Sequence, residues 1–207
     1  MRLVTLRAEI DADKCTGCRT CEKVCPTVAV RVQKKKAVVD LKHCTGCGGC
    51  EQRCPAYAIT MQLRETPVRL HVPPEKFDRR KISALCRKAR FNPEQIVCYC
   101  TETRAEEVAA AILSGADTPE KISRAIGIRT GCKVECIQPV LRLLAAAGIT
   151  PPRPEGWQWY GLTPTAWEIP KEVKEKYSRR GFYFDDDIKL FDLIAGAKTK
   201  EQEGRHA

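Results

Sequence analysis

Cys15, Cys18, Cys21, Cys25 and Pro26 return as Cys44, Cys47, Cys50, Cys54 and Pro55, so the run C-x2-C-x2-C-x3-C-P occurs twice within the first 60 residues. The correspondence goes beyond the cysteines. Thr16-Gly17 matches Thr45-Gly46, Glu22 matches Glu51, and Ala29-Val30 matches Ala58-Ile59. A unit repeated at a fixed offset reads as a duplicated half whose two copies fold alike. Three cysteines two residues apart can wrap one face of a compact inorganic body while loop N–H groups point at its sulfurs. Gly17 and Gly46 let that loop curl closely.

The fourth cysteine of each run precedes a proline on a segment leading away, so it reaches the neighbouring cluster rather than its own. The expected sets are Cys15, Cys18, Cys21 and Cys54 for one 4Fe-4S cluster, and Cys44, Cys47, Cys50 and Cys25 for the other. Structural zinc also favours sets of four cysteines, but it needs neither a third cysteine two residues on nor a repeated C-P. Residues 1 to about 62 resemble the bacterial two-cluster ferredoxin family, and residues 1–63 are expected to form that domain. Around the loops, residues 3–10, 28–33 and 37–40 alternate as short strands, with Lys34, Lys35 and Lys36 forming a solvated turn.

Thirteen cysteines in a small exported chain would mean a disulfide scaffold. Here residues 1–10 are too short and polar for a signal peptide, no twin-arginine leader is visible, and no run nears 18 apolar residues. The expectation is a cytoplasmic chain without membrane insertion. The formal charge of +10 points toward a polyanion. It falls to about +4 once twelve cysteines act as thiolates around three oxidised clusters. Nucleic acid is therefore not expected as a partner.

Residues 64–75, with Pro67, Pro73 and Pro74, read as a linker. A basic amphipathic helix over 76–90 follows, with Ile82, Leu85, Cys86 and Ala89 on one stripe, and linker and helix together make a 64–94 segment. Cys86 reads as a buried small hydrophobe. Then come Cys98-Tyr99-Cys100 and, far downstream, Gly131-Cys132 and Cys136. Three helices are expected between and after them: one begun by a Thr103/Glu106 capping box and stopped at Gly115, one from Thr118-Pro119 to Gly127, and one over about 132–147. Pro139 requires that last helix to begin near Glu135 or to bend. Residues 96–144 resemble the 2Fe-2S domain of the bacterioferritin-associated ferredoxin type, with three residues between the last two cysteines where the best-known members have two. The resemblance implies that Cys98, Cys100, Cys132 and Cys136 hold a 2Fe-2S cluster within a domain over 95–150. An isolated four-cysteine site can also hold zinc, and a carrier of iron, copper or zinc stays open on the residues alone.

Residues 151–207 lose clear periodicity and hold most of the aromatic residues, including Trp157, Trp159, Tyr160 and Trp167. They read as a docking tail that packs on a partner or across the chain's own surface. Asp185, Asp186 and Asp187 read as an exposed turn or helix start. The expected fold is α+β: a ferredoxin-like two-cluster domain, a small all-helical 2Fe-2S module and an irregular tail. No nucleotide-binding or metalloprotease pattern is visible, so no catalytic residue is expected. The chain reads as an electron-transfer subunit rather than a catalytic one. Resemblance to modules found in flavoprotein dehydrogenases implies a flavoprotein or other oxidoreductase subunit as partner in a hetero-oligomeric complex. The alternative is a free-standing ferredoxin-type carrier or redox sensor.

Overall fold

The computed structural model describes residues 1–152 and 160–199. The first unit runs β1 (Arg2–Ile10), α1 (Thr20–Val24), β2 (Val30–Gln33), β3 (Lys36–Val39), α2 (Gly49–Gln52) and β4 (Ile59–Leu70). β1 pairs antiparallel with β4, from Ile10 opposite Ile59 to Arg2 opposite Leu70, and β2 pairs with β3 as a hairpin. Residues 64–70, expected as linker, instead continue β4. The register slips between Val4 and Leu6, opposite Val68 and Leu63 respectively, and this bulge absorbs Pro67, which has no N–H to give a ladder. Most of the strand's outer half is exposed, so hydrophobic alternation could not reveal it; pairing with β1 creates it.

This unit's buried core is Ala8, Cys21, Cys25, Ala29, Val30, Ala37, Cys50 and Ile59. Most members are small and three are cysteines. A unit of this size with so little aliphatic mass needs an inorganic staple to be stable.

The second unit contains α3 (Arg79–Lys88), β5 (Ile96–Cys98), β6 (Thr103–Arg104), α4 (Ala105–Leu113), α5 (Pro119–Ile126) and α6 (Ile137–Ala146). Its core is conventional, with Ile82, Val108, Ile122, Ile128, Leu143 and Leu144 fully enclosed. Local signals explain most helix starts. The Asp78 carboxylate accepts from Arg80 N at 2.8 Å, and Thr118 Oγ1 accepts from Lys121 N at 3.2 Å with Pro119 in the first position. α6 begins just after Cys136, which leaves Pro139 in the first turn where its missing N–H costs nothing.

Two local expectations change. α4 is capped one residue later than the Thr103/Glu106 reading: Arg104 N donates to Glu107 at 2.9 Å, while Glu106 is buried and ion-paired to Arg79 of α3. A carboxylate claimed by a cross-helix arginine is not free to cap its own helix. The module also carries the small β5/β6 hairpin, which begins the C-x-C segment.

The tail, expected to be irregular, forms α7 (Lys171–Ser178) and α8 (Phe184–Gly196). Asp185, Asp186 and Asp187 fill the first turn of α8, where the positive end of the helix dipole favours them. Trp167 lies on the chain's own helical unit. Its ring is 5.7 Å from Phe191, Arg90 and Arg142 stand over it, and its Nε1 donates to Asp192 at 3.0 Å. Tyr160 reaches Glu120 of α5. Trp157 and Trp159 lie outside the described residues. No helix among the described residues is long and apolar enough to cross a membrane.

The two units touch. Arg124 Nε of α5 donates to the Thr27 carbonyl at 2.8 Å, and Arg2 of β1 donates to Thr130 Oγ1.

Candidate metal centres

The duplication in sequence is a duplication in geometry. Cys15 N donates to Asp11 O at 3.1 Å, and Cys44 N to Asp40 O at 3.0 Å. Glu22 accepts from Val32 N, and Glu51 from Met61 N at 3.0 Å, each carboxylate tying its short helix to the strand that follows. Ala29 N donates to Cys25 Sγ at 3.2 Å, and Ala58 N to Cys54 Sγ at 3.3 Å. Gly17 and Gly46 both take positive φ, and a side chain at either would collide with a backbone carbonyl, that of Lys35 or of Leu6.

Two basic residues that the sequence reading did not single out as supports hold the loops from outside. Lys36 Nζ donates to the carbonyls of Ala12 and Cys15, at 2.5 and 3.0 Å. Arg64 Nη2 donates to the equivalent carbonyls of Leu41 and Cys44, at 2.9 and 2.7 Å. Lys36 is thus a loop clamp in β3 rather than part of a solvated turn.

Cys15, Cys18, Cys21 and Cys54 line one small cavity together with Val32 and Ile59, and Cys25 is not among its lining residues. Around Cys50 the neighbouring thiols are Cys47, Cys25 and Cys44. The fourth cysteine of each run therefore stands with the other run's three. Burial pushes the Cys21 thiol up to about 11, with Cys18 and Cys15 adding to the rise, and pushes Cys50 up to about 12, with Cys47, Cys25 and Cys44 adding. Clustered thiols that resist ionising alone are suited to a cationic centre, which binds them as thiolates and releases their protons. Among the described residues no three His, Cys, Asp or Glu side chains converge on the place of a single ion. A cubane is a wider body, and its four thiolates stand further apart.

The third constellation is two pairs of unequal exposure. Cys98 and Cys136 are buried and Cys100 and Cys132 exposed. Cys98 ends β5, Cys136 precedes α6, and their thiols are hydrogen-bonded to each other. That bond pulls Cys98 down to about 5, with Thr101 Oγ1 donating at 3.0 Å, and pushes Cys136 up together with burial. In the outer pair, Cys132 N donates to Cys100 Sγ at 3.4 Å. The N–H groups of Val134 and Glu135 bond Cys132 and, as the leading cause, hold its thiol below the ordinary range. Gly131 leaves no room for a β-carbon against Cys100. Thiols fed by backbone donors, as Cys98, Cys100 and Cys132 are, suit an anionic sulfide cluster.

Behind this site lies a buried Arg129–Glu120 ion pair at 3.1 Å. Tyr160 donates to Glu120, and the Arg129 charge favours thiolate at Cys136. Cys86, by contrast, stands apart in the helical core, where burial pushes its thiol up to about 12.

Residues 7–55 match the family model described as a 4Fe-4S dicluster domain, and residues 96–146 match that of the BFD-like [2Fe-2S] binding domain. The chain thus fuses two kinds of iron-sulfur domain, which carry 4Fe-4S and 2Fe-2S clusters. No curated protein and no solved structure matches it significantly.

Proposed function

We propose that this fusion of two iron-sulfur domains is the electron-transfer subunit of a larger oxidoreductase, relaying single electrons between a flavin-containing partner subunit and an external acceptor or donor. The observation that carries the reading is the packing of the two matched domains against each other through Arg124 and Arg2, which holds their cysteine loops in one body. Iron-sulfur clusters exchange one electron at a time, which suits them to bridge a two-electron cofactor such as a flavin and a one-electron carrier. The ligand sets proposed are Cys15, Cys18, Cys21 and Cys54; Cys44, Cys47, Cys50 and Cys25; and Cys98, Cys100, Cys132 and Cys136. The cavity with Cys54 beside the first run, and the grouping of Cys25 with the second, support the crossed arrangement. The chain's own residues orient the thiols, aim N–H groups at sulfur and cover the buried ligands.

The test is anaerobic affinity purification of the tagged chain from its native cells, with flavin and iron quantified in what elutes. A stoichiometric flavoprotein whose substrate bleaches the cluster absorbance supports the reading. A flavin-free monomer overturns it in favour of a free-standing carrier. One observation favours that second reading: Trp167, expected as a docking anchor, is already engaged by Arg90, Arg142 and Phe191 of its own chain.

A further inference from the structure

Besides the Met1 amine against Glu107, the two units meet through Arg124, Arg2 and Lys133, and two of these contacts lie beside the thiols grouped around Cys50. Arg124 holds the carbonyl of Thr27, two residues past Cys25. Arg2 of β1 holds Thr130 and packs on Gly127. The third contact is Lys133, which lies between Cys132 and Cys136 and ends at Gly49, between Cys47 and Cys50. Its ammonium fills the position that a β-carbon on Gly49 would take, a point 3.8 Å from Cys47 Sγ. Lys133 adopts a left-handed backbone with φ of 68° and is half-buried, although Cys132 and Val134 on either side are exposed. A left-handed conformation is costly for a non-glycine residue, so something must hold it there. The glycine at position 49 supplies the room. No residue of the helical unit lines the cavity of Cys15, Cys18, Cys21 and Cys54.

We infer that Lys133 is a positioning residue that pins the third cysteine site onto the Cys44 to Cys50 loop. The centre of Cys25, Cys44, Cys47 and Cys50 is then the third centre's neighbour, and the fixed charge of Lys133 favours that neighbour's reduced form. The inference rests on the electron-relay reading above. Reduction adds one negative charge and no proton, and a cation held within the cysteine loop lowers the energy of that added charge through a medium far less screening than water. A shift of about tenfold in the reduced-to-oxidised ratio at fixed potential is expected, which for one electron is about 59 mV.

The experiment is a potentiometric titration of full-length holoprotein followed by electron paramagnetic resonance, comparing wild type with Lys133→Met, Lys133→Arg and Gly49→Ala, with iron content as control. The two 4Fe-4S signals are identified by which one Cys25→Ser and which one Cys54→Ser alters. In Lys133→Met the signal altered by Cys25→Ser should become about tenfold harder to reduce, the other 4Fe-4S signal should stay in place, and Lys133→Arg should restore the wild-type value. Gly49→Ala, which displaces the ammonium without removing it, should move the same signal in the same direction, and it supplies the reading if Lys133→Met loses iron. Unmoved signals in iron-replete variants, or a shift confined to the signal altered by Cys54→Ser, would overturn the assignment. Failure of the relay reading shows separately, as a flavin-free monomer in the purification above, and the Lys133 shift is still read on the 4Fe-4S pair.

Discussion

Cys86 and Cys50 have buried thiols raised by the same cause, yet their surroundings give them different work. Cys50 has three thiols beside it, whereas Cys86 has Ile82, Leu85 and their aliphatic neighbours. Cys86→Ser should therefore leave iron content unchanged while lowering stability by about 1–3 kcal/mol, because a hydroxyl replaces a weakly polar thiol in an apolar pocket. Loss of iron from that variant would reassign Cys86 as a ligand. For the crossed cysteines, Cys25→Ser should harm the centre of Cys44, Cys47 and Cys50 and spare the other, with Cys54→Ser giving the converse. Resonance spectra in which each substitution damages its own run's centre would reject the crossed sets.

Among the elements, α5 does two jobs. One face carries Arg124 to the first unit, and Glu120 at its start neutralises buried Arg129, whose backbone N–H in turn bonds Cys98. Removing one partner of a buried pair strands the other charge, so Glu120→Gln should destabilise the helical unit by about 3–5 kcal/mol. Tyr160→Phe, which removes one bond to that carboxylate, should cost only about 1–2 kcal/mol. Chemical denaturation of the iron-loaded variants measures both, and equal losses would show that the tyrosine, not the ion pair, secures this corner. The helix start at Thr118 was legible because a cap and its helix are neighbours in sequence, whereas the helix expected over 76–90 begins only after the Asp78 cap. The Glu106 cap was misread because Arg79, which takes its carboxylate, belongs to another helix.

For the whole molecule, the two domain types imply ten irons, from two 4Fe-4S clusters and one 2Fe-2S cluster, and no stoichiometric zinc. Elemental analysis of anaerobic protein decides this, since eight irons with one zinc would assign the third site to zinc. The tail contributes no proposed ligand, so a chain ending at Pro152 should keep its iron and visible absorbance. It should nonetheless melt at a lower temperature. Trp167 covers Arg142, whose Nη2 holds the Ala89 carbonyl at the end of α3, and Asn92 Nδ2 donates to Ala197 O just past α8. An unchanged melting temperature would mean that these contacts add nothing to the fold. The outer side of α8 leaves Leu190 and Leu193 exposed, at 54% and 72%. Pull-down against the purified partner, with full-length and shortened chains, shows whether the tail is also needed for assembly.

The two repeats, the kind of domain each cysteine group builds, and the approximate places of the core helices could be read along the chain. Coordination spacing, caps and prolines act over a few residues and leave their pattern in the chain. Long-range packing settled that residues 64–70 are a strand, that the tail is helical and serves its own chain through Trp167, and that Lys133 ends at Gly49. Each of these depends on a partner far away in sequence: β1 for β4, Arg90 and Arg142 for Trp167, Gly49 for Lys133. Lys36 and Arg64 taught the same lesson at smaller scale. Their charge was visible at once, but that it would land on the carbonyls of Cys15 and Cys44 became readable only when the strands had folded back over the loops.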